Sequence, residues 1–204
     1  MNRRAMTKPY RFFAAAALAL SLIGCQPAAR QQQIIGANLE GTGIGGPFSL
    51  VDKQGRQVTW NKFQGKYRIV YFGYTFCPDA CPMDVGVMMQ GYLKFAKDHP
   101  KLAQDVQPIF ITVDPARDTP ARVGEFAAAF SPRLLGLTGT QAEVDSAIKA
   151  FKVVAARGKD VPGGYLMDHT RFAYLMDREG KAIEALPVDK GPEAIAADLA
   201  VSVK

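Results

Sequence analysis

Cysteine, histidine and tryptophan are scarce in this chain of 204 residues, which holds three, two and one of them. Three cysteines cannot build the dense disulfide framework of a small secreted scaffold. Two histidines make the search for an imidazole ligand short. Apolar runs long enough to cross a bilayer are missing too: FFAAAALALSLI (12–23) falls well below the roughly 20 residues a spanning helix needs. Basic runs are absent beyond the first residues. Of the formal charge of +6, four positive charges (Arg3, Arg4, Lys8, Arg11) stand in an amino-terminal segment without acids, so the remainder carries about +2. A nucleic-acid partner is therefore not expected.

What is present first is a leader. A basic start, a short apolar stretch and a small-residue end predict a signal peptide over residues 1–24. LIGC (22–25) resembles a bacterial lipobox, which implies lipidation of Cys25. An acylated Cys25 would hold the protein on a membrane of the bacterial cell envelope, with its domain in the periplasm or otherwise outside the cytoplasmic membrane. Residues 25–46, rich in Gln, Ala and Gly, read as a flexible tether, and 47–204 as one domain. With 48% hydrophobic and 22% charged residues, that domain can bury a single core.

Along the domain, FSLVDKQGRQVTW (48–60) reads as two short strands about a Lys53-Gln54-Gly55 turn. YRIVYFGYTF (67–76) is a continuous apolar and aromatic run, as in a central strand covered on both faces. A helix over 83–98, a strand at 106–114 and a helix opened by Thr119 and Pro120 follow. Then come a short strand at 133–139, a helix at 140–154, a strand–turn–strand at 172–187 and a closing helix at 191–203. The order predicts an α/β, thioredoxin-like fold: a central mixed sheet, helices on both faces and an added amino-terminal β-hairpin. In open α/β sheets, functional groups gather where a strand exits into a helix.

Cys77 and Cys81, in YFGYTFCPDACP, stand at that exit. Free N–H groups and the dipole of a following helix favour thiolates there. The three intervening residues allow a structural disulfide, a redox couple or two ligands of one metal. Two thiolates suit Cu(I) or Zn(II), and a third donor is to be sought, for which the chain offers two histidines. His99 lies in a charged helix-end loop. His169, in GGYLMDHTRFAYLM, lies at the mouth of a buried strand after a Gly-rich loop, and is either a ligand or a locally hydrogen-bonded side chain.

YFGYTFCPDACP resembles the Sco/SenC family of membrane-tethered copper chaperones, and VDPARDTP (113–120) and MDHTRFAYLMDREG (167–180) resemble two further blocks of that family in the same order. The resemblance implies one copper ion held by Cys77, Cys81 and His169, as Cu(I) and, with a further oxygen or nitrogen ligand, Cu(II). It implies delivery of copper to the binuclear copper site of cytochrome c oxidase, whose copper-bearing subunit would be the partner. Other periplasmic copper carriers or thiol oxidoreductases could also be partners. The alternative within the family is a thiol–disulfide reductase acting on that site or on other exported proteins, with Cys77 attacking and Cys81 resolving. A thiol peroxidase of the peroxiredoxin class fits poorly, because Tyr74-Thr75-Phe76 precede Cys77 without that family's proline.

Around the site, Asp79 and Asp168 are expected either to orient the ligands or simply to form turns. Met83, Met88 and Met89 have the helical spacing of core residues, and Met167 stands two before His169. Asp114, Arg117 and Asp118 are expected to fix the turn into the Thr119-capped helix.

Overall fold

The computed structural model describes Met1 and residues 33–204. Residues 2–32 lie outside the described residues, and with them nearly all of the expected signal peptide, the Cys25 lipidation site and the first part of the tether. No helix among the described residues is long and apolar enough to cross a membrane.

The chain runs through β1 (Ala37–Asn38), β2 (Ser49–Val51), β3 (Gln57–Thr59), β4 (Tyr67–Gly73), α1 (Ala80–Asp98), α2 (Pro100–Ala103) and β5 (Val106–Thr112). It continues with α3 (Pro120–Phe130), β6 (Leu135–Leu137), α4 (Gln141–Ala150), β7 (Ala155–Val161) and β8 (Gly164–His169). It ends with β9 (Ala173–Met176), β10 (Ala182–Leu186) and α5 (Pro192–Ser202). Six strands form one mixed sheet in the order β1-β10-β9-β4-β5-β6. β4, β5 and β6 are parallel, whereas β9 is antiparallel to β4 and β10 to β9. The order β10-β9-β4-β5, with α1 joining the parallel pair and α5 following the antiparallel one, is thioredoxin-like.

The unbroken apolar run of β4 has its cause in this topology: all seven residues are buried because both faces are covered. On one face Tyr71 pairs with Phe110, whose ring meets Phe126 of α3 at 4.7 Å, and the Tyr71 hydroxyl reaches Asp84 of α1. Right-handed crossovers place α1 and α3 on that same side. α5 joins them there, with Gly91 of α1 leaving room for Ile195. On the other face Phe72 packs against Phe151, at the end of α4, and against Tyr174, with Trp60 beyond. Even Arg68 of β4 is buried; its guanidinium lies 4.6 Å from the Trp60 ring and donates to the carbonyls of Asp177 and Arg178. The expected Thr119 cap is in place, and α4 has one that the sequence reading did not name. Thr119 accepts from the Arg122 N–H, with Pro120 in the first turn, and Thr140 with Glu143 makes a reciprocal capping box.

Two segments depart from the sequence expectation. The Gly-rich stretch before His169 is not a loop but half of a hairpin, β7–β8, paired only with itself. Its residues alternate poorly because packing is slight: β7 has no buried residue, and Ala155 and Met167 are only partly buried against the core. The period-two signal of a half-buried strand is thus missing. The expected tether is also tied down from residue 35 onward. Ile35 and Gly36 donate their N–H groups to the Asp198 carboxylate at 2.7 Å each, β1 pairs with β10, and the Gly45 N–H donates to the Ala150 carbonyl. Gly36 suits its place, since a Cβ there would stand 2.3 Å from the Ala185 carbonyl oxygen.

Candidate metal centre

β4 ends at Gly73, and the six residues to Ala80 carry the chain off the sheet into α1. Cys81, the second residue of that helix, is fully buried; Cys77 is half-buried at the rim. The Cys81 N–H, one of the first-turn donors without an intrahelical partner, donates to Cys77 Sγ at 3.2 Å. Pro82 tolerates its missing N–H for the same reason. The cysteine loop is anchored from beneath by Asp118, fully buried, which accepts from the Thr75 N–H (3.0 Å), the Thr75 hydroxyl (2.6 Å) and the Thr112 hydroxyl (2.6 Å). Burial, only partly offset by those donors, raises the Asp118 carboxyl above its ordinary range.

His169, the last residue of β8, arrives from the other side. Its Nε2 stands 3.2 Å from Cys81 Sγ, and its Nδ1 3.0 Å from the carbonyl oxygen of Thr170. A carbonyl can only accept, so Nδ1 donates its proton there and Nε2 is the ring nitrogen turned toward the sulfur. Tyr71 and Tyr74 wall the ring edge-on at 6.1 and 5.9 Å between centroids. The two sulfurs differ in charge. The Cys81 thiol, with further hydrogen bonds from His169 and backbone N–H groups, pulls Cys77 down to about 3, although burial opposes this. The same hydrogen bond to the Cys77 thiolate, with burial, pushes the Cys81 thiol well up.

The structure thus brings together Cys77, Cys81 and His169. It does not bring the two acids with them. Asp79 is exposed and its side chain caps nothing; only its backbone N–H faces Cys77 Sγ. Asp168 is exposed on β8, where neighbouring residues point to opposite faces, and its carboxylate lies over Gly158 of β7. Met88 and Met89 are core residues as expected, but Met83 is 61% exposed, and Met167 packs partly against the core. His99 is exposed at the end of α1. Asp118 does more than shape the turn before α3, since it holds the cysteine loop. Asp114, paired with Arg117, accepts from the Tyr165 hydroxyl at 2.9 Å, and Arg117 stacks on the Tyr165 ring at 3.6 Å. This is where the hairpin meets the body.

Sequence reasoning overlooked Asp84 and Arg171. Asp84 is buried one helical turn after Cys81; it accepts two bonds from Arg171, at 2.9 and 2.8 Å, and one from the Tyr71 hydroxyl at 2.9 Å. An acid on the inward face of α1 is the signal that could have found it.

Chemically, the trio offers two soft sulfurs and one borderline nitrogen, with the Tyr74 hydroxyl hydrogen-bonded to Cys77 beside it. Among the described residues no three His, Cys, Asp or Glu side chains stand as a ready-made metal cage. The trio is closed on itself through hydrogen bonds, and a thiol proton is what a soft cation would displace. The donor set fits a thiophilic ion.

A family model described as SCO1/SenC matches residues 36–204. Protein sco1 of Schizosaccharomyces pombe is 39% identical over 170 residues, which cover 82% of this chain and 64% of that protein; the chain thus spans less than two thirds of that relative's length. The structure of Bradyrhizobium japonicum ScoI with copper bound is similar at a TM-score of 0.69 and 41% identity, covering 77% of this chain and 98% of that one. Arabidopsis thaliana ScoI with copper bound is similar at a TM-score of 0.72 and 35% identity, covering 78% and 96%.

Proposed function

The chain belongs to the SCO1/SenC family, and from that premise we propose that it is a membrane-tethered copper chaperone of cytochrome c oxidase assembly, with Cys77, Cys81 and His169 holding one copper ion as cargo. The observation that carries this reading is the convergence of those three side chains from separate elements, with Nε2 of His169 3.2 Å from Cys81 Sγ. Two structures similar to this one are described as copper-bound.

Two thiolates and an imidazole suit three-coordinate Cu(I), a site firm enough to carry the ion and open enough for a thiol of the recipient to enter. Cu(II) would require a further oxygen or nitrogen ligand. Cys77, already a thiolate, would take the ion first; Cys81 would give up its proton on binding. His169 would offer Nε2, because its Nδ1–H is held by the Thr170 carbonyl. Joining the sulfurs in a disulfide removes two donors together, so copper binding requires the reduced pair.

The test is Cu(I) competition against a chromophoric chelator, with reduced protein beginning at residue 33. One equivalent should bind, and His169→Ala should lose about a hundredfold, equivalent to about 2.7 kcal/mol. Equal binding by the variant would remove His169 from the ligand set and with it the copper site as drawn. The tether makes a separate claim: acyl mass on the mature amino terminus, and loss of membrane retention in Cys25→Ser.

A second reading is favoured by the unequal exposure of the sulfurs. As a reductase, the rim thiolate of Cys77 would attack a partner disulfide, releasing one partner thiolate and forming a mixed disulfide. Cys81 would then close the Cys77–Cys81 disulfide and release the second, so that the partner gains two electrons and this protein loses two. His169→Ala would leave much of that activity intact, whereas Cys81→Ser would trap the mixed disulfide.

A further inference from the structure

The two halves of the donor set are joined by one ion pair. Cys81 and Asp84 lie three residues apart on α1, so their side chains share a face one turn apart. His169 and Arg171 lie two apart, at the end of β8 and just beyond it. Asp84 takes the Arg171 guanidinium in a two-pronged bond, Nε to Oδ2 at 2.9 Å and Nη2 to Oδ1 at 2.8 Å. The Tyr71 hydroxyl of the central strand donates to the same Oδ2 at 2.9 Å, which fixes the carboxylate to the sheet. Asp84 is 6% exposed, whereas the Arg171 side chain is 55% exposed and lies over it from the solvent side.

The arrangement matters because β8 has no place in the main sheet. It pairs only with β7, so nothing in the sheet's hydrogen bonding fixes where His169 stands relative to α1. A bidentate guanidinium–carboxylate pair sets both distance and orientation. Among the described residues it is the only side-chain ion pair between α1 and the segment that carries His169.

We propose that Asp84 and Arg171 are positioning residues that hold the His169 imidazole against the two cysteine sulfurs, so that the pair sets the metal affinity of the site without touching the ion. This rests on the copper reading above for its role in function, but not for its geometry. Groups that orient a ligand in this way typically change metal affinity by about tenfold or more.

The experiment is a double-mutant cycle on Cu(I) affinity with Arg171→Met, Arg171→Lys and His169→Ala, together with 15N resonances of the His169 ring in metal-free protein. Arg171→Met should lower affinity about tenfold in the otherwise native protein and change nothing in the His169→Ala background, because its effect passes through that side chain. Arg171→Lys, which keeps the charge but loses the fork, should fall between. In metal-free Arg171→Met the Nε2 resonance should shift from its native position as the Cys81 contact loosens. Equal losses in both backgrounds would show general destabilisation and overturn the proposal, as would native affinity in Arg171→Met. If His169→Ala alone binds copper normally, the ligand assignment fails, and the ring resonances decide separately: a shift in Arg171→Met upholds the positioning, and an unmoved Nε2 overturns it.

Discussion

The cysteine loop and the histidine arm supply donors to one site, yet they are built in opposite ways. The loop hangs from β4, a strand buried at every residue between two neighbours, and Asp118 holds it with three hydrogen bonds in a fully buried position. The arm is a lightly packed hairpin, touching the core through Ala155 and Met167, paired only with itself and attached to the body by the Tyr165 hydroxyl and, just beyond β8, by Arg171. A two-stranded hairpin by itself is marginal in water. The site therefore joins a stiff half to a compliant half. On the proposed copper reading, a carrier would gain from that division: the sulfurs would stay in place while the imidazole withdraws, lowering the coordination of the ion as the recipient takes it. An all-rigid site would bind as well and release more slowly.

The largest expected break comes at the stiff half. Asp118→Ala leaves the Thr75 N–H and the Thr112 hydroxyl without their acceptor in a dry place, at a cost of about 3 kcal/mol in urea unfolding. A loss below 1 kcal/mol would mean that the loop does not depend on Asp118. Gly73→Ala follows. Its Cβ would stand 2.9 Å from the Tyr71 ring and 3.2 Å from Cys81 Sγ, so about 1–2 kcal/mol of overpacking and a displaced sulfur are expected, read as lost stability and slower disulfide closure. Gly163 gives the contrast at the tip of the hairpin. A Cβ there meets nothing within 4 Å, and only its φ of +89° opposes a side chain, so Gly163→Ala should leave disulfide closure unchanged.

The pH dependence separates the halves in another way. Glu184 of β10, fully buried, is pushed up to about 7, mainly by burial and then by the neighbouring Asp198, and Asp118 is raised as well. An acid whose folded pKa is raised binds its proton more tightly in the folded state. Its contribution is complete below the unfolded value of about 4.3 and is lost as pH rises through the folded one. Global stability should therefore fall between about pH 4.5 and 7, and Glu184→Gln, which stays neutral, should remove part of that fall. Neither carboxyl lies in the hairpin, so hydrogen exchange from its local opening, corrected for the intrinsic rate, should show no such trend. A parallel trend would mean that the hairpin opens only with the whole fold.

The same division governs what could be read from the sequence. β4, β5 and the helices after them were legible because burial on both faces, helical periodicity and the Thr119 cap each leave a mark in the residues themselves. Cys77 and Cys81 stood out for the same reason, being tied to a strand end. β7–β8 left no mark, since a lightly packed hairpin needs no apolar alternation, and its partner contacts are with residues far off in sequence. His169 was found through the family resemblance rather than through its surroundings. Asp84 and Arg171 were missed because an ion pair across 87 residues has no local signature, and Asp79 and Asp168 were suspected only because they adjoin the ligands in sequence. Adjacency fails in a strand, where Asp168 must point away if His169 points in.

The smallest change gives the sharpest comparison. Tyr165→Phe removes one hydrogen bond, from the hairpin to the buried Asp114, and keeps the ring on which Arg117 and Arg157 stack at 3.6 and 4.2 Å. Its cost to global unfolding should be about 1 kcal/mol or less, because Asp114 keeps its pairing with Arg117. Its local effect should be larger in proportion. If the hairpin opens independently of the sheet, its amides should exchange about fivefold faster in the variant while those of β4 and β5 do not change. Copper release to a competing thiol should accelerate by a similar factor, with the equilibrium affinity lowered less than by Arg171→Met, because Tyr165 lies four residues from His169 and Arg171 only two. Exchange that rises equally in hairpin and sheet would make the arm part of the rigid body. The compliance of the histidine half would then have to come from the imidazole side chain alone.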